Sequence, residues 1–379
     1  MKYNFDEKIN RNNTYSLKWD YQDGDYLPMW IADMDFAAPP KVLEALHERV
    51  EHGVFGYLLN EWQLNDTIIH YYRKNYNVEI DPEWIVWIGS VMVGSNLACR
   101  MAGGDILYNV PMYNHIRELA EETDKNAIEV PLIEELKDGK LYYHMDFEAM
   151  DRMLTKETST FVLCNPHNPV GRVYTKEELH KVSDFCKKHD LFVISDEIHS
   201  DLILDGEHTP AFMVDEWMKM NSITFSSAAK TYNLPALPTA FAIIPNTQLR
   251  ERFLKTIRGL MSCANALSVT AIHTAYEECD DWKEELLSYL RTNRDYLEVW
   301  ACENQIPITH LEGTYLPWMD MRKFGIDNIW KYLRDEAGVN YGNGIIYGRE
   351  GYLRVNIGCP LETLKEALEK TKKALDKIR

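Results

Sequence analysis

Short apolar runs recur along the first three quarters of the chain and alternate with stretches of helical periodicity. Thr175 and Glu178 have the spacing of a capping box, so residues 175–189 are predicted to form a capped amphipathic helix. The alternation predicts an α/β fold with a mostly parallel sheet covered by helices. Six apolar runs are the predicted strands: 84–88, 106–110, 160–164, 191–195, 223–226 and 240–244.

The pattern changes after about residue 281, where long predicted helices at 282–303 and 361–378 surround short strands. This change predicts a large domain over residues 51–280 and a smaller α+β domain over residues 281–379. The chain contains no internal repeat, low-complexity stretch or Pro/Gly-rich linker that would mark a sharper boundary.

Composition narrows the choice of partners and compartment. The 379 residues include 41 basic and 59 acidic side chains, and the net charge of −18 argues against nucleic acid as a partner. No apolar leader and no run of membrane-spanning length is present, so we expect a cytoplasmic protein without a membrane partner. The twelve histidines form no ligand-spaced cluster, so no metal is predicted. Scattered cysteines without a C-x-x-C pair predict reduced thiols, at Cys99, Cys164, Cys186, Cys263, Cys279, Cys302 and Cys359.

Three of the predicted strands are followed by polar side chains that suit one cofactor. Asn168, Asp196 and Lys230 each come at or after a predicted strand end, and such ends meet at one edge of a parallel sheet. A lysine amine can form a Schiff base with an aldehyde, an acid can keep a pyridine nitrogen protonated, and an amide can orient a ring oxygen. Taken singly these residues are a surface lysine, a helix cap and a turn. Together they predict a pyridoxal 5'-phosphate site with Lys230 as the catalytic residue.

The phosphate of such a cofactor needs amide N–H groups, hydroxyls or cations around it. The best candidate is the turn at Ser90, Val91 and Met92, because it opens a predicted helix whose first N–H groups favour an anion. Ser226 or Ser227, just before Lys230, can add a hydroxyl. An ordinary serine-capped turn is the alternative.

Several further stretches connect the chain to a known family. They are residues 16–20 (SLKWD), 27–36 (LPMWIADMDF), 52–57 (HGVFGY), 196–199 (DEIH), 312–316 (EGTYL) and 352–360 (YLRVNIGCP). With the Asn168 and Lys230 segments, they resemble the fold-type I pyridoxal phosphate enzymes related to aspartate aminotransferase. Within these, the chain is most similar to the carbon–sulfur lyase branch, which includes cystathionine β-lyases of the maltose-regulon-modulator type.

The resemblance implies roles around the cofactor. Tyr113 corresponds to the aromatic residue that stacks on the ring, and His199 lies where many aminotransferases place a tyrosine near the ring oxygen. Tyr57 is implied to reach the phosphate from a second subunit, which predicts a homodimer with shared active sites. Position 238 differs from the family pattern, because it is a proline where the wider superfamily usually has a phosphate-binding arginine. A core tyrosine at 113 and a structural histidine at 199 are the alternatives.

The resemblance also implies how the substrate is held. Arg354 corresponds to the arginine that grips the substrate α-carboxylate, for which the guanidinium fork is well shaped. Asp33 and Asp35 are implied to flank the way into the substrate site, and residues 1–50 to form an N-terminal arm that joins the small domain. A strand-end surface charge at 354 and solvated acids at 33 and 35 are the alternatives.

The implied activity is β-elimination on L-cystathionine, L-cysteine or related S-substituted cysteines, which gives a thiol, pyruvate and ammonia. An aminotransferase would use the same residues and would pass the amino group to a 2-oxo acid. A cofactor-bound regulator that acts through protein contacts is a further alternative.

Overall fold

The computed structural model describes residues 2–21, 24–58, 62–260 and 265–378, and the elements below are numbered along those ranges. The strands are β1 (Leu27–Met29), β2 (Ile85–Ile88), β3 (Asp105–Val110), β4 (Ala127–Pro131), β5 (Ile133–Lys137), β6 (Lys140–His144), β7 (Thr158–Cys164), β8 (Phe192–Asp196), β9 (Ser222–Ser226), β10 (Ala240–Ile243), β11 (Ile308–Thr309), β12 (Trp318–Asp320), β13 (Val339–Asn343) and β14 (Tyr352–Arg354). The helices are α1 (Leu17–Asp20), α2 (Pro40–Glu51), α3 (Trp62–Tyr76), α4 (Val91–Ala102), α5 (Asn114–Glu122), α6 (Phe147–Met153), α7 (Lys176–Lys188), α8 (Glu216–Asn221), α9 (Thr247–Ile257), α10 (Ala266–Glu278), α11 (Asp280–Glu303), α12 (Ile329–Ala337) and α13 (Leu361–Leu375).

The first sheet has the strand order β2-β10-β9-β8-β7-β3-β4, and only β10 runs against the other six. All six strands predicted from the apolar runs lie in it. Because the connections between parallel strands return over the faces of the sheet, helices cover both sides. The predicted α/β class with a helix-covered, mostly parallel sheet is confirmed.

The helices are set on this sheet by their apolar faces. Helix α7 begins with the predicted capping box, in which the Thr175 hydroxyl accepts from the Glu178 N–H and the Glu178 carboxylate accepts from the Thr175 N–H. On the opposite face α4 packs closely, since a methyl group at Gly94 would lie 2.6 Å from the Phe225 ring. Each fully buried aliphatic side chain in such a layer contributes about 1.5–3 kcal/mol. The small residue at 94 therefore lets α4 approach β9.

The second sheet has the order β1-β13-β14-β12-β11-β6-β5 and is mixed. Its first strand comes from the N-terminal arm, since β1 pairs in parallel with β13. Its last two strands, β5 and β6, come from within residues 51–280 rather than from the C-terminal part of the chain. The segment that follows β1, residues 30–36, contacts both sheets' neighbourhoods: the Trp30 carbonyl accepts from Arg354 at the end of β14, and the Ala32 carbonyl accepts from Lys230 after β9.

Two other expectations concern cysteines and membranes. Cys99, Cys164, Cys186, Cys279, Cys302 and Cys359 are free thiols, whereas Cys263 lies outside the described residues. Among the helices of the described ranges, none combines the length and the apolar character that crossing a bilayer requires.

Candidate active site

The three predicted strand-end residues converge on one cavity. Asn168 follows β7, Asp196 ends β8, and Lys230 lies in the turn after β9. The hydrogen-bonding between β7 and β8 continues one residue beyond β7, because the Asn165 N–H donates to the Asp196 carbonyl at 3.0 Å. The three side chains therefore face the same space, a cavity of about 180 Å³ at the carboxyl edge of the sheet.

Lys230 is the amine of this cavity. Its Nζ donates to the Ala32 carbonyl oxygen at 2.6 Å, so the side chain is already directed across the site. Burial, together with the nearby charge of Arg354, lowers the pKa of Lys230 to about 8, although the charges of Asp33 and Asp196 act in the opposite direction. A lysine with a depressed pKa has a larger neutral fraction near neutral pH, and the neutral form is the nucleophile and base.

Asp196 is the buried acid opposite this lysine. Burial raises its pKa to about 6, while the Ile198 N–H, 3.1 Å from Oδ1, and the charge of Lys230 both lower it. At neutral pH the carboxylate is therefore mostly ionised. An ionised, buried carboxylate is suited to hold a protonated ring nitrogen in place.

The far end of the cavity is built to receive an anion. It is lined by Ser90, Val91 and Met92, where α4 begins, and the Ser90 side chain caps the helix by accepting from the Val93 N–H at 3.2 Å. The first N–H groups of a helix have no partners within it, and they carry the positive end of the helix dipole. Phosphate binding at such an N-terminus needs no side-chain charge.

The turn before Lys230 adds hydroxyl groups at the same end. Ser227 lines the cavity, donates to the Thr239 carbonyl at 2.7 Å and accepts from the Ala229 N–H at 3.1 Å. Ser226 contacts the Glu197 carbonyl instead and does not line the cavity, so the structure favours Ser227 of the two serines. Pro238 also lines the cavity, which places the departure from the superfamily pattern at the site itself.

Tyr113 and His199 form walls of the cavity. Tyr113 precedes α5, and burial raises the pKa of its hydroxyl far above the ordinary value. His199 is buried with its ring edge towards Tyr315, and burial, with the charges of Lys230 and Arg354, keeps its pKa well below 6.5. Its Nδ1 is buried and has no hydrogen-bonding partner among the described residues. A neutral imidazole with an unused nitrogen is available to a ligand in the cavity.

Arg354 joins the cavity to a larger chamber. It ends β14, donates to Asn168 Oδ1 at 3.0 Å and to the Trp30 carbonyl at 2.8 Å, and lies 4.6 Å from the centre of the Tyr347 ring. Its Nε is buried and has no partner in the described chain. The chamber has a volume of about 750 Å³ and shares Ala32, Tyr113 and Lys230 with the smaller cavity.

In the part of the chain that the structure describes, neither Asp33 nor Tyr57 lines the cavity or the chamber, although the charge of Asp33 acts on Lys230. The Asp33 carboxylate pairs with Arg11 at 2.5 Å, and Asp35 pairs with Arg11 and with the buried Lys18. Neither acid lines either cavity in the described chain, so a place for them at the substrate site stays a prediction. Tyr57 is fully exposed and also borders neither cavity.

Two asparagines that the sequence did not single out hold the segment 30–36 in place. Asn233, three residues after Lys230, bonds to Met34 and donates to the Phe36 carbonyl at 2.8 Å. Asn356 donates to the Ile31 carbonyl at 2.6 Å and to the Asp33 carbonyl at 2.7 Å. The residue type was the one sign in the sequence, because asparagine tolerates the left-handed region better than most residues and Asn233 has a φ of 54°.

This site fits pyridoxal 5'-phosphate. A lysine amine, a buried carboxylate, an unpartnered imidazole nitrogen and a helix N-terminus border one cavity, as the aldehyde, ring nitrogen, ring oxygen and phosphate of that cofactor require. The fold and this set of side chains define a fold-type I pyridoxal phosphate enzyme.

Comparison with known proteins identifies the family. Residues 25–370 match the model of aminotransferase class I and II. The chain is 34% identical to "Cystathionine beta-lyase PatB" of Bacillus subtilis, with 98% of this chain and 100% of the relative covered. It is 31% identical to "Protein MalY" of Escherichia coli over the full length of both. The crystal structure of cystalysin from Treponema denticola, which contains pyridoxal 5'-phosphate, superposes with a TM-score of 0.94 at 31% identity and covers both chains fully. The chain belongs to the aminotransferase class I and II family.

Proposed function

We propose that this enzyme is a carbon–sulfur β-lyase that converts L-cystathionine and related S-substituted cysteines, with water, into a thiol, pyruvate and ammonia. The observation that carries the proposal is the full-length similarity, at 34% identity, to a relative named cystathionine beta-lyase. Lys230 and Asp196 line one cavity and supply the amine and the acid that this reaction needs, as an aminotransferase would also need them.

Each residue has a part in this reaction. When bound, pyridoxal phosphate draws electrons away from the Cα of the amino acid. Arg354 binds the α-carboxylate with its guanidinium fork and so fixes the Cα–H bond, and Lys230 removes that proton. The carbon–sulfur bond then breaks and the thiolate leaves as the thiol after protonation. Hydrolysis of the remaining three-carbon unit gives pyruvate and ammonia.

The remaining residues hold the cofactor in our proposal. Asp196 would keep the proton on the ring nitrogen, and Tyr113 would pack on the ring. Asn168 and His199 would hold the ring oxygen. The N–H groups at Ser90, Val91 and Met92, with the Ser227 hydroxyl, bind the phosphate without an arginine at position 238.

We also propose that the enzyme is a cytoplasmic homodimer in which Tyr57 reaches the phosphate of the other subunit. The support is a run of exposed apolar side chains around Tyr57, at Val54, Phe55 and Leu58. Monomeric soluble proteins rarely leave contiguous apolar surface of this kind uncovered. The same proposal divides the chain into an arm at 1–50, a large domain at 51–280 and a small domain at 281–379. The strands β5 and β6 are the exception, because they lie within residues 51–280 but pair in the second sheet.

The deciding experiment compares turnover of L-cystathionine by the holoenzyme with and without a 2-oxo acid. Elimination regenerates the cofactor in each cycle, so we expect many equivalents of thiol, pyruvate and ammonia without an acceptor, and none from Lys230→Ala. A dependence on the 2-oxo acid would replace the lyase with an aminotransferase. Cofactor binding with no product in either assay would favour a regulator or another substrate.

A further inference from the structure

The 750 Å³ chamber extends well beyond the α-carboxylate site at Arg354. Its other walls include residues of α1, α12 and β13. Among the described residues that line it, four side chains are or can become cationic: His115, Lys230, Arg334 and Arg354. Our proposed function assigns Lys230 and Arg354, and the His115 ring bonds to Glu118 Oε2 at 2.6 Å. Arg334 is the cation that remains.

Arg334 is held in a fixed orientation at the outer end of the chamber. Its guanidinium carbon lies 4.8 Å from the centre of the Trp330 ring and 5.5 Å from that of Tyr26. Trp330 is itself fixed, because its indole N–H donates to the Tyr341 carbonyl at 2.8 Å. The Arg334 Nε donates to Asp335 Oδ1 at 3.0 Å, while the structure gives the two terminal nitrogens no partner among the described residues. An arginine stacked in this way offers a planar pair of N–H donors to a carboxylate.

The spacing of the two arginines suits one extended substrate. Arg354 contacts the Trp30 carbonyl, and Arg334 contacts the Tyr26 ring four residues earlier along β1 and its ends. At a rise of ~3.3 Å per residue of extended chain, the backbone positions of Tyr26 and Trp30 are about 13 Å apart. The two carboxyl carbons of L-cystathionine are separated by seven bonds of ~1.5 Å, about 9 Å when extended. Arginine side chains that reach inwards from both points can grip both carboxylates.

The outer chamber also suits the amino group beside a distal carboxylate. Asp20 is the only acid among the described lining residues, and its carboxylate accepts from the backbone N–H groups of Asn13, Thr14 and Ser16. These bonds lower its pKa, so it stays ionised. A substrate whose distal end carries both a carboxylate and an ammonium group can therefore pair the carboxylate with Arg334 and the ammonium with Asp20.

Building on the proposed lyase function, we propose that Arg334 binds the distal carboxylate of the substrate. The substrate class is then S-substituted cysteines whose sulfur substituent ends in a carboxylate, with L-cystathionine as the fitting example. Cysteines with short, uncharged S-alkyl groups occupy only the inner part of the chamber and gain nothing from Arg334.

The test measures Arg334→Gln against three ligands. L-Cystathionine carries a distal carboxylate and ammonium, S-(3-carboxypropyl)-L-cysteine keeps only the carboxylate, and S-ethyl-L-cysteine has neither. Both kcat/KM and equilibrium binding to the holoenzyme are measured for each ligand. The matched control is Lys331→Gln, because Lys331 pairs with the same Asp335 on the same helix but does not line the chamber.

We expect Arg334→Gln to weaken the first two ligands about tenfold or more, as the loss of a hydrogen bond between charged groups does, and S-ethyl-L-cysteine less than about twofold. Arg334→Lys should lie in between, and Lys331→Gln should resemble the wild type. If Arg334→Gln weakens binding of all three ligands equally, Arg334 has only a structural role. If it weakens binding of none of them, Arg334 is not part of the substrate site. If the wild type binds the ligands but releases no thiol, the lyase function fails while the binding ratios still decide the role of Arg334.

Discussion

Replacing Arg354 by alanine separates substrate binding from cofactor binding. In the structure Arg354 has two hydrogen bonds, to Asn168 and to the Trp30 carbonyl, and a stacking contact with Tyr347. We expect the variant to bind amino acids much more weakly and to keep the cofactor. The reason is that the guanidinium is the direct partner of the α-carboxylate, whereas it reaches the cofactor only through Asn168.

The size of the effect follows from the lost bonds. A hydrogen bond to a charged group contributes about 1.5–3 kcal/mol, which corresponds to about ten-fold to 150-fold in the dissociation constant. The cofactor keeps its links to Lys230, Asp196 and the start of α4, so its own affinity should change by less than about ten-fold, the range of one ordinary hydrogen bond.

The assay is a spectroscopic titration of the holoenzyme with L-alanine, which binds through its α-amino and α-carboxylate groups but has no β-leaving group. The cofactor affinity is measured separately by adding pyridoxal phosphate to the apoenzyme. Arg322→Ala is the matched control, because Arg322 stacks on the Tyr352 ring at 4.7 Å but lines neither cavity. Equal weakening of L-alanine and of the cofactor in Arg354→Ala would show a structural arginine and refute the assignment.

Three further predictions address the cofactor and the assembly. The purified holoenzyme should be yellow, and Lys230→Ala should lose the visible band of lysine-bound cofactor together with catalysis; a colourless wild type that does not respond to added cofactor would contradict the site. The rate at which the apoenzyme captures pyridoxal phosphate should rise with pH and level off above about 8, because burial lowers the pKa of Lys230 and only its neutral amine reacts; a rise centred near the ordinary lysine value of 10.5 would show a solvated amine. Mixing inactive Tyr57→Ala and Lys230→Ala subunits should restore part of the activity through hybrid sites, whereas an active monomer would exclude the shared site.

Six of the seven strands of the first sheet could be predicted because they are buried on both faces and appear as apolar runs. The seventh, β4, was missed because it lies at the edge and is buried only at alternate positions. The hairpin of β5 and β6 was missed because β5 is mostly exposed and carries the charged residues Glu134, Glu135 and Lys137, so it does not appear as an apolar run. A local signal was present in the dipeptide Asp138-Gly139, which is typical of a two-residue hairpin turn, and both residues have the positive φ that such a turn requires.

The same contrast applies to the site. Lys230, Asp196 and Asn168 could be identified because each stands at the end of a strand that the pattern locates. The outer chamber could not, because Arg334 and Tyr26 meet only when β1 pairs with β13, some 310 positions along the chain. Contacts between segments so far apart depend on the folded sheet and leave no periodic trace in the sequence.

The acceptor of the free Lys230 amine has a consequence for how this site can change during evolution. The amine is held by a main-chain oxygen, that of Ala32, which also accepts from the Tyr315 hydroxyl at 2.9 Å. No substitution at position 32 removes the main-chain carbonyl, so a scan that replaces side chains would not detect this hydrogen bond. Genetic drift can alter the side chains along residues 30–36 while the lysine keeps its acceptor, and only a change in the path of the backbone would release it.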